Sequence, residues 1–512
     1  MDVKPYLCRN GIPPMKTTAP RLSTGLLLSL ALFVSGTIAG KTAIHYTVTI
    51  PDPASSRYVV ELSLTAASDS VTLRLPRWMP GYYQLMSYAD NLRILTCTDN
   101  QGNTLKLDTL ATNAWRLKGV KGKAVTLTYT VDARKQFVAN SLVDKQHAYL
   151  VPAQSFLYED GNLDRPAIVS VKLPEGWSSI ATGLDTDPEN PHRFSATSMD
   201  VLYDCPLLLG NLKSLPSFKI NGIEHRFLGY DLQSFDGRAL MTDLQRIVQA
   251  AVDLMGDIPY DTYTFIGIGP GNGGIEHLNN CVVSFTGQGL DTEEGRLRNL
   301  HFLAHEYFHH FNVKRIRPVE LGPFDYDREN RTTQLWVSEG LTVYYESVLL
   351  LRAGLIDSAT VLKTMEAAIN ALENNPGRHH QSLAQASYQT WEDGPFGNQG
   401  PRRGKTISYY AKGPVVGWLL DMRIRQASKG QYSLDEVMRH LYRASKATGR
   451  GFTDAEFQQT CEHYAGADMS DFFDYVYTTK PLDYTACLKG SGLRLDTLTA
   501  PTGRTTYTLT RL

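Results

Sequence analysis

The sequence predicts a multi-domain α+β protein in which an antiparallel β-sandwich-like region precedes a mainly α-helical one. Three observations carry that expectation. From about residue 43 to about 212 the chain alternates apolar and polar residues with β-branched enrichment, the period of half-buried strands. From about residue 236 the apolar period lengthens to that of a helix face. At 512 residues the chain also exceeds one ordinary core. The expected divisions are a leader over 1–39, a β-rich domain over 40–215, a helical domain over 216–485 and a short β tail over 486–512.

In the leader, Lys16 and Arg21 precede the apolar run from Leu26 to Val34, and small residues follow it up to Gly40. This is the layout of an export signal, with cleavage after Ala39, and the run is shorter than the roughly 20 apolar residues of a membrane span. An exported chain, periplasmic or secreted from a bacterium, without stable membrane insertion after cleavage, is therefore expected, with an uncleaved signal anchor as the competing reading. A formal net charge of −1 and the lack of a basic tract interleaved with aromatics exclude nucleic acid as a partner. Cys97, Cys205, Cys281, Cys461 and Cys487 are widely spaced, with no Cys-x-x-Cys pair; their spacing leaves one or two bridges open, with buried free thiols as the default reading.

Strands are expected at 45–50, 58–64, 71–75, 125–131 and 167–173, separated by turn signals such as Pro51-Asp52-Pro53 and Pro174-Glu175-Gly176. Between them Arg77-Trp78-Met79-Pro80-Gly81-Tyr82-Tyr83 reads as an aromatic corner packed in the sandwich. Leu240, Leu244, Ile247, Val248, Ala251 and Leu254 then mark a helix over 236–255. Strands follow at 263–268 and 281–285, with the glycine-rich segment 269–274 as a flexible turn between them. Asp291, Thr292, Glu293 and Glu294 form an acidic, capping-competent helix start. That helix carries an apolar stripe through Phe311. Helices are expected again at 333–352, 357–374, 409–427, 433–448, 453–465 and 470–477, with a long polar loop over 373–405 and short strands at the end.

The helix that starts near residue 292 contains His305-Glu306-Tyr307-Phe308-His309. Four residues is little more than one helical turn, so the two imidazoles leave one face and converge on a point, the pattern of zinc peptidases. A catalytic zinc takes three protein ligands, and Glu339 is the expected third: it lies in an otherwise apolar helix, where a lone carboxylate is costly without a cation. Glu346, two turns further on, competes for that role. His310 is turned about 100° away from His309.

These motifs together, HEYFHHFNVKRIRP, then WVSEGLTVYYE, preceded by GGIEH and followed by SYYAKG, resemble the M61 glycyl aminopeptidase family, gluzincins related to the M1 aminopeptidases. The likeness runs from about residue 45 to about 490 and implies a thermolysin-like zinc peptidase domain behind the β-sandwich. By that resemblance Glu339 matches the third zinc ligand of the M1 Asn-Glu-Gly motif, with Ser338 in place of Asn. Glu276, with Gly273 and Gly274, matches the Gly-x-Met-Glu-Asn motif that holds the substrate's free α-amine. Tyr410 matches the tyrosine that steadies the tetrahedral intermediate. Many members of the family continue into a PDZ-like module, and the strands after residue 489 are too few for one, so peptide-tail recognition is not carried over.

The expected function is a zinc-dependent aminopeptidase, one Zn2+ per chain held by His305, His309 and Glu339. It hydrolyses the N-terminal residue, Gly or Ala by resemblance, from peptides with a free N-terminus through a metal-activated water. Glu306 is the general base, Tyr410 the oxyanion partner, and Glu276 the amine anchor. Read without the resemblance, Glu276 is equally a solvated strand-edge acid, and Tyr410 helix core. Lys314, Arg315 and Arg317 are either contacts for a peptide carboxylate or an exposed basic face. His277, His379 and His380 read as surface residues or as supports behind the site. The rivals are a zinc endopeptidase in which Glu276 is idle and a non-catalytic peptide- or glycan-binding protein.

Overall fold

A six-stranded sheet in the middle of the chain is buried on both faces, and the rest of the fold is built outward from it. The computed structural model describes residues 42–512; the expected export signal lies outside them. The strands Thr262–Gly267 and Asn280–Phe285 pair in parallel. Ile223–Gly229 joins the first of them in parallel, and Gly269–Glu276 closes the other edge antiparallel to Asn280–Phe285. Because successive side chains point to opposite faces, Phe265, Cys281, Val283 and Phe285 enter a core shared with the helices. Ile266, Ile268, Ile275 and Val282 enter the core of the β-rich region instead.

The β-rich region has the expected strands, each within a residue of its predicted bounds, among them Ile44–Thr49, Arg57–Thr65, Ser70–Arg74, Ala124–Asp132 and Ala167–Lys172. It is not a simple two-sheet sandwich. Its strands form sheets of seven, five and four strands, and Ile44–Thr49 runs parallel to Ala167–Lys172 inside the largest. Strict alternation along Arg57–Thr65 puts Tyr58, Val60, Leu62 and Leu64 inside.

The segment 269–274, expected as a flexible turn, belongs to the strand Gly269–Glu276. Glycine content suggested a turn, and positive φ at Gly269 (87°) and Gly273 (91°) gives the strand an irregular register that its partner nevertheless pairs. The segment 373–405, expected as a loop, holds two short helices, Leu383–Tyr388 and Thr390–Asp393. A capping box between Ser382 and Gln385 starts the first of these. The tail forms the hairpin Leu493–Thr499 with Thr505–Arg511, which lies on the helix Ser358–Glu373 through bonds such as Asn370 Nδ2 to the Tyr507 carbonyl at 2.7 Å. All five described cysteines are buried free thiols.

The corner at Arg77–Tyr83 is packed, but not within the sandwich. Trp78 is fully buried against Phe324 and Trp391, edge-on at 5.5 and 5.3 Å, and its Nε1 donates to the Asp325 carbonyl at 2.8 Å. Gln84 Nε2 donates to the Thr390 carbonyl at 2.8 Å. The corner is thus a plug driven from the β-rich region into the helical one. Trp78→Ala should lower the unfolding free energy by about 3–5 kcal/mol, measured by denaturant unfolding. A loss below about 1 kcal/mol would show that the two regions are not joined through this ring.

Candidate active site

The helix Glu293–Phe308 starts as its sequence dictates, with Thr292 Oγ1 accepting from the Gly295 amide at 3.1 Å and two glutamates in the first turn. It ends earlier than the apolar stripe suggests. His309 is its C-cap, still bonded from its amide to the His305 carbonyl at 3.2 Å, so the two rings keep helical spacing while the chain turns away. Glu339 does not lie in an ordinary helix either. Residues Trp336–Gly340 form a π-helical turn, closed by the Leu341 amide on the Trp336 carbonyl, before the α-helix Leu341–Arg352 begins. Such turns re-aim side chains where function needs them.

The three predicted metal ligands converge. His305 Nε2 and His309 Nε2 are 2.8 Å apart, and Glu339 Oε2 lies 3.5 and 3.2 Å from them. The far side of each ring is already engaged. His305 Nδ1 donates to Glu346 Oε1 at 2.8 Å, and His309 Nδ1 donates to the Asn312 carbonyl at 2.6 Å. Both Nε2 atoms are thereby left as lone-pair donors turned toward each other, beside a buried carboxylate oxygen that no hydrogen bond reaches. Lone pairs and a negative charge at this separation call for a cation. Four tetrahedral ligands about 2.0–2.1 Å from a zinc ion are roughly 3.3 Å apart, in the middle of the observed separations. The residues fit the ion.

Glu346, the alternative third ligand, instead orients His305, and its other oxygen lies 3.4 Å from His301 Nδ1. Spacing was the available signal: His301 sits four residues before His305, and Glu346 seven after Glu339, each on the same helix face. Asn312 gave no such signal. Its carbonyl fixes His309 while its Nδ2 donates to the Val337 carbonyl at 2.8 Å and to Thr342 Oγ1 at 3.1 Å, tying the histidine segment to the Glu339 turn. His310 faces away, among Tyr260, Tyr263 and Tyr307.

Charge in the cluster follows from these contacts. Burial disfavours the charged forms of both histidines, yet the carboxylates outweigh it: Glu339 and Glu346 hold His305 well above its usual range, and Glu339 raises His309. Burial likewise opposes the charge on Glu339, and the two rings overcome it and hold that carboxyl far below the ordinary range. Glu306 is different. Desolvation dominates and pushes it up to about 7, even though the two histidines pull the other way. Its Oε2 has no hydrogen-bond partner, and the backbone of Gly274 presses against the carboxylate so closely that a Cβ there would collide with it.

Tyr410 reaches Glu339 because two helices touch through glycines. A Cβ on Gly340 would lie 2.6 Å from Gly413 Cα and 2.9 Å from the Tyr409 carbonyl, so the π turn and the helix Tyr409–Ala427 meet backbone to backbone. Ser408 Oγ caps that helix by accepting from the Tyr410 amide at 3.1 Å. Burial and then the charge of Glu339 keep the Tyr410 phenol protonated, well above its usual range. Tyr409, its neighbour, is core, with its hydroxyl 3.1 Å from Thr390 Oγ1.

Glu276 ends the glycine-rich edge strand and is buried, not a solvated strand-edge acid. Among the described residues nothing donates a hydrogen bond to its carboxylate. Gly81, at φ 90°, packs on it from the β-rich region: a Cβ there would meet Glu276 Oε2 at 2.8 Å and Ile275 Cγ2 at 2.9 Å. Gly273 lies on the same strand beside Val138, 3.6 Å from where a Cβ would sit. Behind the strand, His277 is buried, with Nδ1 3.2 Å from Asp204 Oδ1, and the Lys314 ammonium pairs with the same carboxylate at 2.5 Å. Lys314 is therefore neither a peptide contact nor an exposed base. Arg315 donates to the carbonyls of Leu278, His310 and Pro259 and is internal too. His379 and His380 are exposed.

The sequence matches two models of one family: the Peptidase M61 N-terminal domain over residues 45–211 and the M61 glycyl aminopeptidase over residues 298–416, together more than half of the chain. The chain belongs to the M61 peptidase family. As an M61 peptidase it is a metallopeptidase. An aminopeptidase N family protein from Idiomarina loihiensis is similar to this M61 chain at 28% identity and a TM-score of 0.83, over 89% of this chain and 79% of that one. A mutant M1 zinc metallopeptidase from Deinococcus radiodurans, solved with a Tyr-Ser-Ala substrate, is similar at 16% identity and a TM-score of 0.54, over 87% and 95% of the two chains. Yeast LTA4 hydrolase in complex with bestatin is similar at 14% and 0.54, over 87% and 69%. The last two share the fold. No curated protein matches this M61 chain in sequence.

Glu306 gives a pH signature to the metal-free M61 protein. Its carboxyl moves from the usual 4.5 up to about 7 on folding, so the folded state holds that proton more tightly. The stabilisation is complete below about pH 4.5 and is lost as pH rises through about 7, a change on the order of 3 kcal/mol. Chelated wild type should therefore lose melting temperature between pH 5 and pH 8, and Glu306→Gln should lose less. An identical pH dependence in both proteins is the contrary result.

Proposed function

We propose that this metallopeptidase is a zinc-dependent aminopeptidase that releases the N-terminal residue from peptides. The observation that carries the reading is Glu276: a buried carboxylate, without a protein donor, at the end of an edge strand that also presses on Glu306. A carboxylate so placed asks for a cation from outside the chain, and a peptide's terminal ammonium supplies one. The M1 zinc metallopeptidase of Deinococcus radiodurans was solved with a Tyr-Ser-Ala substrate, in keeping with a peptide in this cleft.

His305, His309 and Glu339 would hold the zinc, which when bound supplies Lewis acidity and an acidified water. Glu306 accepts the proton of the attacking water at its carboxylate and returns it to the leaving amine, and its raised affinity for protons suits both transfers. Tyr410, kept as an O–H, donates to the oxygen that becomes negative as the carbonyl is attacked. Glu276 pairs with the ammonium and so fixes cleavage one residue from the end. The exposed edge of Gly269–Glu276 offers backbone groups alongside which a peptide lies extended. Gly or Ala as the first residue is in line with the glycyl aminopeptidase name of the family. The leader is proposed as an export signal cut after Ala39, so that the enzyme works outside the cytoplasm.

Glycyl and alanyl peptides should be hydrolysed only with a free amine, with activity lost on chelation and restored by zinc. Glu306→Gln should lower kcat on the order of 10²–10⁴-fold. Equal turnover of N-acetylated peptides would instead select the endopeptidase reading. Removing the partner of His305 with Glu346→Gln should weaken zinc binding about 10–100-fold, measured by competition with a chromogenic chelator. Unchanged affinity would mean that Glu346 does not orient the ligand.

A further inference from the structure

We propose that Phe396 sets the substrate preference of this site: its exposed ring is the platform for an apolar side chain on the second residue of the peptide, just beyond the bond that is cut. The inference rests on the aminopeptidase reading above and deepens it by naming the class of substrate.

Phe396 is 62% exposed, the most exposed aromatic side chain among the described residues, and it belongs to neither core. In a loose loop such a ring would need no explanation. This loop is held. The Pro395 carbonyl accepts from Ser408 Oγ at 2.9 Å, the Gly397 carbonyl accepts from Thr406 Oγ1, and the Gly397 amide donates to the Gly394 carbonyl at 3.1 Å. A Cβ on Gly397 would lie 2.6 Å from the Ile407 carbonyl oxygen, so the turn packs backbone to backbone on the segment that leads into the helix of Tyr410. Ser408 joins the two, since the hydroxyl that donates to Pro395 also accepts from the Tyr410 amide at 3.1 Å. The backbone on each side of Phe396 is fixed while its ring stands in solvent.

That ring stands beside the reaction. Its centroid is 5.4 Å from that of Tyr410, with 35° between the planes, and the Tyr410 ring is 6.2 Å from that of the metal ligand His305. Burial gives the cleft a direction: Glu276 is buried, Tyr410 half-buried and Phe396 open. A peptide whose terminus is held at the closed end runs outward past Tyr410, so the side chain that reaches Phe396 belongs to the residue after the cut bond. The first residue, Gly or Ala on the reading above, has at most a methyl group to lay on a ring. A phenyl or isobutyl group there removes apolar surface from water on both partners.

The probes are the amides of Ala-Phe, Ala-Leu and Ala-Gly, with the zinc-loaded full chain. Wild type should hydrolyse the first two with kcat/KM about tenfold above the third. Phe396→Ala should bring all three within about twofold by lowering the first two alone, with the melting temperature unchanged, and Phe396→Trp should keep the preference. An equal loss on all three would mean that Phe396 only steadies Tyr410, and a wild type without preference would mean that the ring touches no substrate. Either result overturns the proposal, while a requirement for the free amine leaves the aminopeptidase reading standing. Equal cleavage of the N-acetylated amides would overturn that reading, and this one with it.

Discussion

Two imidazole lone pairs and a carboxylate, buried within 2.8–3.5 Å of one another, are an arrangement that a protein interior does not hold without reason. Much of the surrounding structure exists to keep it. Glu346 and the Asn312 carbonyl take the outer face of each ring and so choose which nitrogen points inward. The π turn at Trp336–Gly340 swings Glu339 under them, and Asn312 bonds that turn to the histidine segment. Removal of any of these supports leaves the like-signed atoms free to part.

The central sheet explains how the other groups are brought to this point. Its alternating side chains are shared between two cores, so neither region can shift without disturbing the other. Its edge strand therefore keeps a fixed place between the Gly81 corner and the Glu306 carboxylate. Backbone contact at Gly340 and Gly413 does for Tyr410 what the edge strand does for Glu276. In each case glycine matters for the room it leaves, since a single methyl group would separate functional side chains that have to meet.

What was legible in the sequence follows from the range of each interaction. The His-Glu-x-x-His spacing, the helix start at Thr292 and the strand alternation are local, and they read correctly. Glu339 was legible as a carboxylate in apolar company, but the π turn that aims it was not, because it depends on the helix crossing at Gly413. The segment 269–274 read as a turn because glycine signals freedom locally, whereas here Gly274 permits close approach to Glu306. The segment 373–405 looked polar, and its two short helices are set by caps and by contacts such as that of Gln84. The corner at Arg77–Tyr83 was seen as packing; that its glycine arrives at Glu276 is a fact of tertiary structure alone.

The contact between Gly81 and Glu276 has a consequence for when the chain becomes active. His305, His309 and Glu339 all lie within one short stretch of the helical region, whereas Glu276 meets a glycine almost two hundred positions earlier in the chain. A chain still being synthesised has made the corner but not the histidines, and one whose β-rich region has come loose has the metal ligands without the wall. On the proposed role of Glu276, the ability to measure a peptide from its end is thus a property of the finished, assembled molecule, and a partly folded copy lacks the part that would tell a terminus from the middle of a chain.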